Sequence, residues 1–285
     1  MRIMIIGSKG SIGTYLVKYI EMTEHICLPY DIEDMNINEF EKTRTIIERD
    51  RPDVIINCAV IQAIDRCEVE PVLAYKTNGT SICNLVDICN DNNITFVYLS
   101  THAVFDGKKE DEYTEYDEPN PVNTYGASKF LGEIFTSRAK KFYIIRLPTM
   151  YGNQESGFYG IVEKFVDWLI TRDELCVADD KLDTFTYIND AIERIMNIIL
   201  KRKTYGIYHV CNNDYCTFYE FAQELRELLG SHTKLYRAKD EDFQCKGEKF
   251  LNGSMVSMKM PPLRHWKKAL KEFIDEKVIC GHESY

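Results

Sequence analysis

The chain opens with the apolar run Arg2-Ile3-Met4-Ile5-Ile6 and passes at once into Gly7-Ser8-Lys9-Gly10-Ser11-Ile12-Gly13. Few local patterns restrict a fold more. An apolar run, then glycines, then Ile12, Leu16 and Ile20 at helical spacing predicts a strand, a tight turn and a helix. The glycines let the backbone turn sharply, approach a pyrophosphate and pack the helix onto the strand. The first helical turn then offers unpaired N–H groups to phosphate oxygens. Gly7, Gly10, Ser11, Ile12 and Gly13 are therefore candidates for holding a dinucleotide. A tight strand-to-helix connection without a ligand would carry the same glycines.

The chain continues in the same rhythm. A second strand is predicted over residues 25–29, followed by Asp31, whose carboxylate can accept both ribose hydroxyls of an adenosine and repel a 2′-phosphate. No Arg or Lys follows until Lys42, so NADH is expected over NADPH, with NADPH possible. Asn36 and Ile37 are placed to flank the adenine, although Asp31 also suits a simple turn. Residues 39–51 read as a helix. The nearly all-apolar strand Val54-Ile55-Ile56-Asn57 suits a parallel sheet covered on both faces. It ends in Cys58, Ala59 and Val60, small enough for a cofactor to approach. Residues 65–78 read as a helix ending in Thr77-Asn78, and residues 94–99 as a strand ending in Ser100-Thr101-His102. Strands alternating with helices predict an α/β fold with a doubly wound parallel sheet and ligands at the carboxyl ends of its strands.

Tyr125-Gly126-Ala127-Ser128-Lys129 carries the chemistry. Positions four apart share one helix face, so an ammonium can sit beside a phenol and favour its ionised form. Beside a fixed cation and a nicotinamide ring, the phenol becomes a general acid for a carbonyl under reduction. A solvated helix face would show the same spacing.

Taken together, these stretches resemble the extended short-chain dehydrogenase/reductase family, and within it the dTDP-4-dehydrorhamnose reductases. The resemblance rests on Arg51-Pro52-Asp53-Val54-Ile55-Ile56-Asn57-Cys58-Ala59, Asp65-Arg66-Cys67-Glu68-Val69-Glu70-Pro71, Ser100-Thr101-His102-Ala103-Val104-Phe105-Asp106-Gly107 and Pro121-Val122-Asn123-Thr124-Tyr125-Gly126-Ala127-Ser128-Lys129. It implies a Rossmann sheet and an NAD(P)H-dependent reduction of the 4-keto group of a nucleotide-linked 4-keto-6-deoxy sugar. Thr101 matches the hydroxyl that bonds the substrate oxygen, Tyr125 the general acid, and Lys129 the residue that binds nicotinamide ribose and lowers the tyrosine pKa. Asn78, Ser100 and Pro148 fall at cofactor-contact positions. The resemblance also implies surface-polysaccharide biosynthesis and a possible homodimer.

Two departures stand out. His102 and Ala103 replace the Asp-Tyr that usually follows this threonine, making His102 either a proton donor or a neutral hydrogen-bonding contact. Thr149 stands where the reductases usually carry tryptophan. Both are expected substrate contacts. His102-Ala103 also excludes the Asp-Glu chemistry of the 4,6-dehydratases. A sugar-nucleotide 4-epimerase, or a non-catalytic nucleotide-binding regulatory subunit, remains an alternative.

Beyond residue 152 the sequence predicts a helix over 158–170, strands over 174–178 and 206–210, and helices over 217–229 and 263–274. Residues 185–191 resemble the family segment that returns the chain to the core sheet. The expected division is residues 1–152 and 180–211 for the nucleotide domain, with 153–179 and 212–285 as a substrate lobe. Arg146, Lys181 and Lys259 are candidate phosphate contacts, although each also suits a solvated surface. Residues 246–254 match the family's nucleotide-cradling segment poorly. A net charge of −10 over 285 residues, with a pI near 5.2, argues against nucleic acid or an anionic membrane as partner. The ten cysteines form no CxxC pair, so no metal site is expected. No leader is expected before the first strand, and a reduced, cytoplasmic setting is expected.

Overall fold

The protein was analysed as a computed structural model, which describes residues 1–152 and 160–281, with side chains to residue 276. The chain runs β1 (Arg2–Ile6), α1 (Ser11–Glu21), β2 (Ile26–Tyr30), α2 (Phe40–Asp50) and β3 (Val54–Asn57). Then come α3 (Ile64–Val69), α4 (Pro71–Tyr75), α5 (Ser81–Asn92), β4 (Thr95–Thr101), α6 (Thr124–Thr136) and β5 (Phe142–Leu147). The second half holds β6 (Met150–Tyr151), α7 (Ile161–Thr171), β7 (Glu174–Ala178), β8 (Leu182–Asp183), β9 (Thr186–Tyr187) and α8 (Ile188–Leu200). It closes with β10 (Gly206–His209), β11 (Cys216–Thr217), α9 (Phe218–Leu228), β12 (Lys234–Ala238) and α10 (Trp266–Gly281).

Six strands form one parallel sheet in the order β2-β1-β3-β4-β5-β10. The period-two alternation of each strand divides its apolar side chains between two cores. Ile3, Ile5, Val54, Ile56, Val97 and Leu99 enter one cluster with α1, α7 and α8. Met4, Ile6, Ile55, Phe96 and Tyr98 enter the other, against α2 and α5. Both faces are thus covered, as the all-apolar strands required.

Three expectations need correction. The helix expected over residues 65–78 is broken into α3 and α4, because Pro71 donates no N–H and restricts Glu70 to a non-helical φ of −120°. A π-helical turn at Lys76–Thr80 then leads into α5. The segment expected to return the chain to the core sheet instead forms β9, which among the described residues pairs with β6 alone. Pro148, just past β5, cannot donate to a continuing ladder, and the return is made by β10. The helix expected from residue 158 begins at Ile161 within the described residues; Phe158 itself lies outside them. The strand β12, beside β7, was not anticipated.

The parts expected to form two units share a core. Leu175 and Val177 of β7, Phe221 of α9 and Trp266 of α10 belong to the same cluster as Ile3 and Ile5 of β1. Trp266 stacks obliquely on Phe221 at 5.5 Å, and Phe273 meets Tyr151 edge-on at 5.3 Å. The tail helix therefore packs on the residues that follow β5.

Gly13 shows how tightly the first turn is built. A Cβ there would lie 2.1 Å from the Gly7 carbonyl oxygen, so α1 rests directly on the turn. Gly13→Ala should lower unfolding stability by about 1–3 kcal/mol, the scale of overpacking, as read from urea denaturation of the two proteins.

Candidate active site

At the carboxyl ends of β1 to β5 lies a cleft of about 760 Å³. Gly7, Gly10, Ser11 and Ile12 line it from the first turn, Asp31, Asn36 and Ile37 from beyond β2, and Cys58, Ala59 and Val60 from beyond β3. Ser100, Thr101, Tyr125, Lys129, Pro148 and Thr149 line the other half. Of the cofactor, catalytic and sugar-contact candidates read from sequence, all but Gly13, Asn78 and His102 line it. Gly13 serves the packing just described. Asn78 sits one layer back, where its amide accepts from Ile61 N and donates to Ile61 O, both at 2.8 Å, and donates to Ser128 Oγ at 3.0 Å. It clamps the loop after β3 to α6. His102 turns away from the cleft toward the substrate-lobe segment.

The first turn fits a pyrophosphate. Gly7 adopts φ +79°, where a side chain is strained, and a Cβ there would approach Ala59 N to 2.9 Å. Gly10 occupies the N-cap of α1 without a side-chain cap, and the helix's first turn carries no acidic residue. Its N–H groups are therefore left for an anion. Asp31 accepts from Lys9 N and Ile32 N, each at 2.8 Å, which ties the turn to the end of β2. Lys9 Nζ pairs with Glu33 at 3.1 Å. The sequence spacing hid this cation: it lies before Asp31 in the chain, not after it, and the fold brings the two together.

The catalytic row stands on α6. Asn123 caps the helix by accepting from Gly126 N at 2.9 Å, while the Glu68 carboxylate accepts from Thr124 N and Oγ1 at 2.7 and 2.8 Å. A cap and an anion at this end are both stabilising. Tyr125, Lys129 and Glu133 then follow at four-residue spacing. Burial pushes the Tyr125 hydroxyl up to about 12, against the opposing hydrogen bond with Thr101. Thr101 Oγ1 itself accepts from Ala103 N at 3.1 Å, which leaves its own proton free to donate. Tyr125 therefore holds its proton at neutral pH.

Lys129 is buried, donates to Leu99 O at 2.6 Å and lies 4.1 Å from the Tyr98 ring centre. Burial brings its pKa down to about 7, with Glu133 pulling the other way. The expected lowering of the Tyr125 pKa by Lys129 is absent: burial dominates the phenol, and the lysine is not among the groups that act on it.

Behind this row, Arg146 on β5 grips Glu133 through two bonds of 3.0 and 2.8 Å, and Ser100 Oγ donates to the same carboxylate at 2.5 Å. Arg146 is 1% exposed, which corrects its reading as a phosphate contact. Lys181 pairs with Asp240 at 3.4 Å, and Lys259 donates to Ile207 O at 2.9 Å. Neither lines the cleft. Residues 246–254 lie against the start of α6, with Lys246 N donating to Asp65 at 2.7 Å and Asn123 Nδ2 to Glu248 O at 3.0 Å. Asp183 and Glu133 carried no motif that would have marked them, and Glu68 stood in the Asp65–Pro71 stretch without a role assigned to it. Among the described residues, no helix is long and apolar enough to cross a membrane, and no cluster of His, Cys, Asp and Glu could hold a metal ion.

A six-stranded parallel sheet, a glycine turn at a helix N-terminus and a half-buried tyrosine one turn from a buried lysine over the cleft define a Rossmann-type protein of the short-chain dehydrogenase/reductase class. The chain belongs to the family described as RmlD substrate binding domain, whose model matches residues 1–279. The spore coat polysaccharide biosynthesis protein SpsK of Bacillus subtilis is 29% identical over 97% of this chain and 98% of its own. The dTDP-4-dehydrorhamnose reductase of Clostridium acetobutylicum superposes with a TM-score of 0.92 at 30% identity, covering 98% of this chain and 100% of its own. That of Bacillus anthracis, solved in complex with NADP, gives 0.91 at 27% identity, covering 96% and 99%.

The Lys129 environment makes a measurable prediction. In the unfolded chain a lysine keeps its proton to its ordinary value of 10.5, whereas the folded one releases it near 7. The unfolded chain binds more protons in that window, so Lys129's contribution to stability rises with pH across it. In urea denaturation at pH 7 and pH 9, Lys129→Met should reduce the gain, or deepen the loss, in stability relative to the parent. An unchanged pH response would show that Lys129 titrates normally.

Proposed function

We propose that the protein reduces the 4-keto group of a nucleotide-linked 4-keto-6-deoxy sugar with NADH, or NADPH, in the biosynthesis of a surface polysaccharide. The observation that carries this reading is the convergence of Tyr125, Thr101 and Lys129 at one end of a cleft whose other end is built for a dinucleotide. Relatives named as 4-keto sugar-nucleotide reductases, and one named for polysaccharide synthesis, support the substrate class.

A bound reduced nicotinamide supplies hydride to the carbonyl carbon. As charge develops on the substrate oxygen, Tyr125 Oη donates its proton there and Thr101 Oγ1 donates a hydrogen bond. Lys129, held by Leu99 O, presents its ammonium to the ribose hydroxyls. Asp31 receives the adenosine ribose, and the first turn of α1 receives the pyrophosphate. Asn36 and Ile37 flank the adenine, with Cys58, Ala59, Val60, Ser100 and Pro148 completing the cofactor's walls. The residues after β5 and the C-terminal third close over the sugar nucleotide.

NADH oxidation with enzymatically prepared dTDP-, UDP-, GDP- and CDP-linked 4-keto-6-deoxy sugars tests the reading directly. One of them should be consumed; loss of none, with NADH binding intact, would sink it. Tyr125→Phe should lower turnover by about 10²-fold or more while leaving cofactor binding intact. Asp31→Ala should weaken NADH relative to NADPH, since it removes the ribose acceptor and leaves Lys9 beside the site. Titration of both cofactors by fluorescence reads the ratio, and an unchanged ratio removes Asp31 from the adenosine site.

A further inference from the structure

The two departures from the reductase pattern, His102 and Thr149, are far apart in the chain but meet on one carboxylate. Asp183 of β8 is 1% exposed. Its Oδ2 accepts from Thr149 Oγ1 at 2.5 Å, and its Oδ1 accepts from Thr184 N at 2.7 Å. His102 Nδ1 lies 3.2 Å from Asp183 Oδ1 and 3.2 Å from Gly253 O. Both neighbours of that nitrogen are acceptors, so Nδ1 carries the proton. Burial pushes the Asp183 carboxyl upward, but His102 and the hydrogen bonds from Thr149 and Thr184 outweigh it and hold the group below its ordinary value. An ionised carboxylate has no proton to give back.

This fixes the polarity of Thr149. A hydroxyl has one proton and two lone pairs, and here the proton is committed to Asp183. Thr149 lines the cleft, and among the described residues no donor reaches its Oγ1. In the same half of the cleft, the hydrogen-bonded pair of Tyr125 and Thr101 keeps a proton to give. The catalytic half of the cleft therefore presents a donor and, separately, an acceptor.

We infer that Thr149, set by Asp183, is a specificity-determining acceptor that takes a hydrogen bond from a ring hydroxyl of the sugar and turns the keto oxygen toward Tyr125. This rests on the reductase reading above and adds to it the orientation of the substrate. A carbonyl or ether oxygen at Thr149 would face lone pairs, so a substrate bound the other way round is rejected. Asp183 and His102 act through Thr149 and are positioning residues; they touch no reacting atom.

The test compares kcat/KM for the reducible 4-keto sugar nucleotide with its 2-deoxy and 3-deoxy counterparts. The parent enzyme should lose about tenfold or more on one of the two, as expected when an acceptor that the bound sugar shields from water is left unpaired. Thr149→Ser should keep that discrimination. Thr149→Val should bring the pair within about twofold, because the acceptor that tells them apart is gone. Asp183→Asn should raise KM for the full substrate several-fold and leave kcat within about twofold, the signature of lost positioning. Equal handling of both deoxy sugars by the parent enzyme, or undiminished discrimination by Thr149→Val, overturns the inference. So does an equal effect of Asp183→Asn on kcat. Should no keto sugar be reduced, calorimetric binding of nucleotide-linked 6-deoxyhexoses and their deoxy forms to Tyr125→Phe still reads it. The functional reading then fails on absent NADH oxidation, and this inference fails separately on equal affinities.

Discussion

The buried pair between Glu133 and Arg146 is the contact on which the catalytic half of the molecule depends. It joins the middle of α6 to β5, and through Ser100 it joins both to β4. Charges taken from water cost several kcal/mol each, and removing one partner of such a pair costs about 3–5 kcal/mol. The bidentate geometry, the Ser100 bond and the Phe105 ring 5.0 Å from the guanidinium offset that cost. What the pair secures is register. With Glu133 pinned behind them, Tyr125 and Lys129 face the cleft in only one rotation of the helix.

The rest of the scaffold is pressed against that helix. At Gly132 a Cβ would lie 2.3 Å from both Asn78 O and the Tyr98 hydroxyl, and at Gly126 one would lie 2.1 Å from Ala103 O. Backbone therefore meets backbone on two sides of α6, with no side chain to act as a spacer. The π-helical turn at Lys76–Thr80 places Asn78 where its amide can hold the loop after β3. The cofactor side of the cleft and the catalytic helix are thus fixed to each other by close contacts rather than by a hinge. Such rigidity suits a reaction that needs a proton donor and a hydride donor aligned on one carbonyl.

Burial, not ion pairing, sets the electrostatics of the row. Lys129 is drawn down toward neutrality and Tyr125 is pushed up, so in this state the lysine is poised to change charge and the tyrosine to keep its proton. The spacing of the two residues suggested an ammonium lowering a phenol. That argument counted the neighbouring charge and left out desolvation, which is the largest cause acting on both groups. The distinction could not be read from sequence, because depth is a property of the assembled layers.

The sequence by itself determined the class of fold and the chemistry on offer. Apolar strands of alternating phase, the glycine turn and the four-residue spacing of Tyr125 and Lys129 are local patterns, and local sterics and periodicity fix what they become. Tertiary structure alone decided which distant groups meet. Lys9 came to stand beside Asp31, Asn78 withdrew from the cleft into its wall, and Pro71 broke a helix that periodicity had extended. His102 and Thr149, read separately as departures, were joined by Asp183, a residue with no motif of its own. The physical reason is that hydrogen bonds and desolvation act over a few ångströms in space, whereas the sequence records separation only along the chain.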